Sequence, residues 1–330
     1  MTNEFLPQGE AAALLPQVSF TIPGLFLFSQ LVYQCLEQVA AKFSHHIPVR
    51  FLYGSPQVRW NCGRLVLINH HESLEEMERE LKGAVQHGIT PLLTFTSPLL
   101  QEEDLKDPVC NGLLEILEEI RGGVVLASPL LRDYIRAHYP HVTIHASIIL
   151  TTYAQERNAA YYRQLSQDYD YYVLHSDDKF HPELLRQLPK HNAEIILNER
   201  CGYQCPQRQE HFISIAQDQT ALLDGCGPLS NFLDRCPYVP EGKQREMQTR
   251  SISSTVQEAA ALAEMGFDLF KLQGRLDSPY VFFFDFLRYA LEEELAFPTM
   301  YPIFSYSIYN YLKEKEHKRR EHTKANGLQA

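Results

Sequence analysis

No uncharged apolar run in the 330 residues approaches the roughly 18 that a membrane-spanning helix needs. The opening stretch, MTNEFLPQGEAAALLPQ, has neither a basic nor an apolar region, so no secretory leader is expected. Neither a G-x-G-x-x-G turn nor a P-loop occurs, which removes the usual dinucleotide and nucleotide-phosphate cradles. H-E-x-x-H and G-x-S-x-G are also missing, and with them two common hydrolase signatures. A net charge of −11 argues against a surface built throughout for nucleic acid, although a local basic path stays open.

What the chain does have is the composition of a globular protein, 45% hydrophobic and 22% charged, with no low-complexity tract. Seven cysteines are an odd number without an export signal. They point to a reducing, cytoplasmic setting, with free thiols or metal ligands rather than a disulfide framework.

Short apolar runs alternate with longer amphipathic segments, the pattern of a parallel sheet built from β/α units. Strands are expected at 18–24, 49–55, 89–97, 123–128, 142–150, 169–176, 193–199 and 267–274. Segment 58–69 reads as an extra strand or hairpin. Helices are expected between the strands, the best marked starting at Ser73 with Glu76 three residues on and Gly88 at its end. Eight strands and this length predict a (β/α)8 barrel of residues 1–310. Residues 200–250 form a cysteine-bearing insertion without strong period, and 311–330 a charged, flexible tail.

Such barrels place chemistry at the C-terminal ends of their strands. Here those ends offer Ser147, His175, Asn198-Glu199-Arg200 and Gln273-Gly274-Arg275. The seventh strand runs straight into Cys201 and Cys205, a C-x3-C spacing that can place two thiolates on one metal. Pro206 then reads as the first residue of a helix whose positive end faces Cys205. Cys226 and Cys236 follow, so four of the seven cysteines fall within 36 residues.

Zinc favours closed sets of C-x2–4-C pairs, which the first pair fits and the second, ten apart, does not. Iron–sulfur clusters tolerate wider spacings. Cys201, Cys205 and Cys236 are the candidate ligands, with the fourth open between Cys226, Cys62 and none. Unpaired structural cysteines are the plain alternative. His175 at a strand end suits a general acid or base, and Glu199 a general base or a rim ion pair with Arg200. His70 and His71 adjoin a helix-entry loop. The aromatic run VFFFDFL reads as core.

At GFDLFKLQGRLDSPYVFFFDFLRYALEE the sequence resembles the collagenase-like peptidases, the thirty-second peptidase family of unassigned catalytic type. Lys271, Gly274, Arg275, Ser278 and Tyr280 carry the likeness, with Gln273 in place of an acidic residue. Ser147 and Asn158 in IHASIILTTYAQERNAAYYRQL give a second, weaker echo. The likeness spans roughly residues 85–294.

This resemblance implies a barrel and, in many members, a four-cysteine 4Fe–4S cluster. In several members it implies oxygen-independent hydroxylation of small molecules or RNA bases rather than proteolysis. The peptidase-type H-G-x-x-C and S-G-x-C signature is absent, and NERCGYQCPQRQEHF stands in its place. Lys271, Asn198 and Ser147 are the expected substrate contacts, with Lys271 alternatively paired to a carboxylate inside the barrel. Arg275 suits capture of an anionic co-substrate. Two other readings stay open: a peptidase or hydrolase, and a non-catalytic subunit stapled by a cluster or zinc beside a partner.

Overall fold

The computed structural model describes residues 18–43, 46–61, 73–227, 251–274, 279–291, 305 and 307–317. The chain divides into two compact units. One takes in residues 18–27 and 49–276 and contains the sheets. The other takes in 28–48 and 277–330 together with the first 17 residues.

Eight parallel strands close the barrel: β1 (Ser19–Pro23), β2 (Val49–Gly54), β3 (Thr90–Phe95), β4 (Gly123–Leu126), β5 (Thr143–Ala146), β6 (Tyr171–Val173), β7 (Ala193–Ile196) and β10 (Leu269–Lys271). Neighbours follow chain order, and β10 closes the ring between β7 and β1. The expected (β/α)8 architecture is the one observed. Two further strands, β8 (Asn198–Gly202) and β9 (Ser251–Ser253), pair antiparallel as a separate ribbon.

Helices α1 (Ser29–Phe43), α2 (Leu74–Gln86), α3 (Pro108–Ile120), α4 (Pro129–His138), α5 (Ile148–Thr152), α6 (Ala159–Asp168) and α7 (Pro182–Gln187) connect the first seven strands in sequence. α8 (Arg208–Leu223) and α9 (Val256–Glu264) precede β10, and α10 (Pro279–Ala290) follows it. Local chemistry sets many of these starts. Ser73 and Glu76 form the expected capping box on α2, and Gly88 supplies the left-handed turn after it. Asp107 before Pro108 and Ser128 before Pro129 join a side-chain cap to a proline that needs no N–H bond.

Three sequence expectations shift. VTIHASIIL is half strand and half helix, because the Ser147 hydroxyl accepts from the Ile149 N–H and starts α5. Residues 56–61 form turns rather than a strand, with Asn61 N–H bonded to the Val58 carbonyl. The rest of that segment lies outside the described residues. The insertion contains the 16-residue helix α8, whose period is hidden because its buried residues include Arg208, Ser214, Asp218 and Gln219.

All eight barrel strands contribute to the interior. Phe51, Tyr53, Leu92, Val125 and Leu269 form one buried apolar cluster, and the partly buried Tyr171 packs against it. His145 packs edge-on to Phe51 and stacks on Tyr171, with ring centres 4.8 and 4.5 Å apart. Beside it, Glu194 accepts from Thr21 and from Lys271, the latter at 2.9 Å. In the other unit, Phe28 meets Phe282 and Phe283 with ring centres at 5.5 and 6.2 Å, so VFFFDFL is core there. Residues 307–317 are helical, and Ser307 bonds the buried Cys35 thiol.

Candidate functional site

The chain leaving β6 reads Leu-His-Ser-Asp-Asp-Lys, and its polar side chains are buried. Asp177 is the hub. It takes two hydrogen bonds from the Arg208 guanidinium, at 3.1 and 3.2 Å, and one from the Gln204 N–H. Arg208 also donates to His175 Nε2 at 2.9 Å and to the Gly202 carbonyl at 2.7 Å. One guanidinium thus ties the β6 end to the end of β8, between Cys201 and Cys205. Its Nε lies buried without a partner.

An arginine cannot accept, so Nε2 of His175 must, which puts the ring proton on Nδ1. The Asp177 N–H also lies 3.3 Å from Nδ1. The shorter contact from a permanently charged donor decides the tautomer. Nδ1 then faces Asp177 Oδ2 at 3.6 Å. Burial, with the charges of Arg157 and Arg208, pushes the His175 pKa down to about 2. The ring is neutral and serves to position Arg208.

Cys201 and Cys205 are half-buried free thiols. Burial pushes the Cys201 thiol up to about 11, against the pull of the Arg208 charge. The Cys205 charge acts on the same sulfur. Between the two, Gln204 takes a left-handed conformation at φ 50° and turns the chain. This turn delays the helix: Gln207 is the N-cap and Arg208 the first helical residue, so Pro206 lies outside α8.

Asn198 and Glu199 bond to Gln273, two residues past the end of β10. Asn198 donates to the Gln273 carbonyl at 2.9 Å and accepts from its N–H at 2.6 Å. Glu199 accepts from the Gln273 side chain at 2.8 Å and from the Cys201 N–H at 3.3 Å. Gln273, standing where the resembling family has an acid, thereby holds a carboxylate rather than adding one. Lys271 is inside the barrel on Glu194 and 4.8 Å from the Tyr53 ring centre. Ser147 caps α5.

The structure brings His175, Glu199 and Cys201 together around Arg208 and its loop. It does not bring Cys226 there. Sixteen helical residues extend about 24 Å at ~1.5 Å per residue, and Cys226 follows the far end of α8. That end is fastened by the Asp224–Arg59 ion pair. Arg275, Cys236 and Cys62 lie outside the described residues.

Sequence reasoning missed Asp177, Arg208, His145 and Glu194. Two acids at the second and third positions after His175, and an arginine three residues after Cys205, were the available signals for the first two.

Tested against a metal, the site supplies two thiols and a neighbouring cation. No group of three His, Cys, Asp or Glu side chains suited to a metal occurs among the described residues. Two thiols alone do not make a closed metal site, so among the described residues the donors do not fit a four-thiolate cluster by themselves.

No protein-family model matches the sequence, and no curated protein matches it. Among solved structures, the U32 peptidase Mk0906 aligns with a TM-score of 0.50 at 13% identity, over 83% of this chain and 98% of that one. The likeness is one of fold. An HpcH/HpaI aldolase from Desulfitobacterium hafniense DCB-2 aligns over 86% of this chain and 95% of its own, at 10% identity and a TM-score of 0.30. Among the described residues, no helix is long and apolar enough to cross a membrane.

Proposed function

We propose that this U32-like barrel is a thiolate–metal enzyme. Its metal is an iron–sulfur cluster held by Cys201 and Cys205 with Cys236, and its reaction is oxygen-independent hydroxylation or a related modification of a small molecule or RNA base. The carrying observation is the pair of half-buried free thiols just beyond β7, Cys201 in β8 and Cys205 three residues after that strand, with the buried Arg208 guanidinium bonded to the Gly202 carbonyl between them. A cluster would supply electron-transfer chemistry that the side chains lack. The hydroxylation class rests on the sequence resemblance between Lys271 and Tyr280.

In this reading the chain's own residues divide the work. Arg208 balances negative charge at the thiolates, and Asp177 and His175 hold it in place. Glu199 is the proton-handling carboxylate, oriented by Gln273. Arg275 takes the anionic end of the substrate, because Lys271 is already paired with Glu194.

Peptide hydrolysis ranks lower, since a cysteine nucleophile needs a free base beside it. The His175 nitrogen that could serve is bonded to Arg208. The test is purification without oxygen, followed by iron and sulfide analysis and absorption in the thiolate-to-iron band. Iron and sulfide together support the proposal. A folded, active protein without metal overturns it, and one equivalent of zinc moves the site to a structural staple.

A further inference from the structure

In a β/α barrel the helix that follows a strand packs on the outside, in the outer ring. α8 follows β7 but makes its contacts elsewhere. Arg208, its first residue, bonds His175 and Asp177 just past β6. One turn on, Phe212 joins a buried apolar cluster with Ala127, the residue after β4, and Ile149 of α5, which starts where β5 ends. The Gln209 side chain donates to the Thr152 carbonyl at 2.9 Å, and the Tyr153 hydroxyl to the Gln209 carbonyl at 3.2 Å. Past the last turn, Asp224 pairs with Arg59, five residues beyond β2.

β6 and β2 stand four places apart in the ring of eight strands, on opposite sides of it. A 16-residue helix, about 24 Å long at ~1.5 Å per residue, thus runs across the C-terminal mouth, passing the ends of β5 and β4. That mouth is where such barrels place their chemistry. The ordinary outer helix of this β/α unit is α9, directly before β10.

The two ends of α8 are held unequally. At the root, Arg208 and Phe212 are buried. At the far end, Leu222 and Leu223 are exposed and the Arg59–Asp224 pair is open to solvent. Beyond it, Gly225 takes a left-handed φ of 75°, and a Cβ there or at Gly227 would meet nothing within 4 Å. The chain has room to move where the helix is least anchored.

We infer that α8 is a lid over the barrel's mouth, turning about its buried root at Arg208 and latched by the Arg59–Asp224 pair, whose release opens the mouth. An exposed ion pair suits a latch, because it contributes little and yields to salt. The inference concerns access to the mouth and does not depend on what the thiols bind. It requires α8 to move as a body, with Phe212 leaving Ala127 and Ile149, rather than to fray at its last turn.

Fluorescence quenching by acrylamide, a small neutral solute, reads that movement in a Phe212→Trp variant. The chain's one native tryptophan, Trp60, is fully buried and stays out of the quencher's reach. Adding Asp224→Ala is expected to raise quenching at position 212 about twofold to fivefold, the shift in open population that loss of an exposed ion pair produces. Salt at ~1 M should have the same effect while the latch is intact, and none once it is cut.

Quenching indifferent to both changes overturns the lid. Should Phe212→Trp fail to fold, hydrogen exchange makes the same distinction without the reporter. Asp224→Ala is then expected to speed exchange in α5 and the middle of α8 together. Faster exchange confined to the last turn of α8 overturns the inference.

Discussion

Lys271 on β10 and Glu194 on β7 form an ion pair at 2.9 Å in which neither side chain has appreciable contact with solvent. Burial alone would raise the Glu194 pKa, but Lys271, His145 and Thr21 together hold it below the ordinary carboxylate value. The pair therefore belongs to the barrel's interior, and its two halves are unequal to remove. Lys271→Met strands a buried carboxylate and is expected to cost about 3–5 kcal/mol in urea denaturation. Lys271→Met with Glu194→Gln should recover most of that loss. A single variant as stable as wild type would show that the pair is not formed.

Two buried histidines make the fold sensitive to acid. Burial pushes the pKa of His145 down to about 3, and that of His175 to about 2. Both rings are neutral when folded, whereas an unfolded histidine takes up a proton near 6.5. Below that pH the unfolded state binds more protons, so stability is complete above about 6.5 and falls as pH drops. The slope is about 1.4 kcal/mol per pH unit for each histidine. Neither ring nitrogen of His145 has a hydrogen-bond partner. His145→Phe should therefore flatten the acid slope at little cost near neutral pH, as followed by thermal unfolding between pH 7 and 5. An unchanged slope would mean that His145 is protonated in the fold.

The two ends of α8 should differ in strength. Asp177 and Arg208 are buried, so Asp177→Ala leaves a desolvated guanidinium and should cost about 3–5 kcal/mol. The Asp224–Arg59 pair at the other end is substantially exposed, with side chains at 48% and 34%. Asp224→Ala should cost no more than about 1 kcal/mol. Hydrogen exchange should accordingly proceed faster in the last turn of α8 than in the first. The reverse order would refute the assignment of the buried anchor.

How legible these features were depends on the kind of signal each leaves. Strands β2, β3, β4 and β7 are short buried runs ending in turn residues, and Ser73, Glu76 and Gly88 bracket a helix in plain sight. Such signals are local. The start of α8 was legible at Pro206 to within two residues, but its length and buried face were not, because a helix whose covered side carries Arg208, Asp218 and Gln219 shows no apolar stripe. The site was half legible for a related reason. Cys201 and Cys205 announce themselves by spacing. Asp177 and Arg208 matter because strand order brings together positions 31 residues apart, which no spacing rule anticipates.

The thiols provide the sharpest separation between the sequence reading and the folded chain. By count alone, Cys226 was as good a fourth ligand as any. In the fold it follows α8, about 24 Å along the helix at ~1.5 Å per residue from the Arg208 end. On the proposed thiolate–metal reading, Cys201→Ser and Cys205→Ser should each lose most of the metal that wild-type protein carries, because a hydroxyl is a poor substitute for a thiolate ligand. Cys226→Ser should retain the wild-type content. Metal analysis on protein purified without oxygen, with circular dichroism to show that each variant folds, makes the comparison. Equal loss in all three variants would mean that Cys226 reaches the site in a different arrangement of α8. Full retention in Cys201→Ser and Cys205→Ser would remove the thiol pair from the metal site.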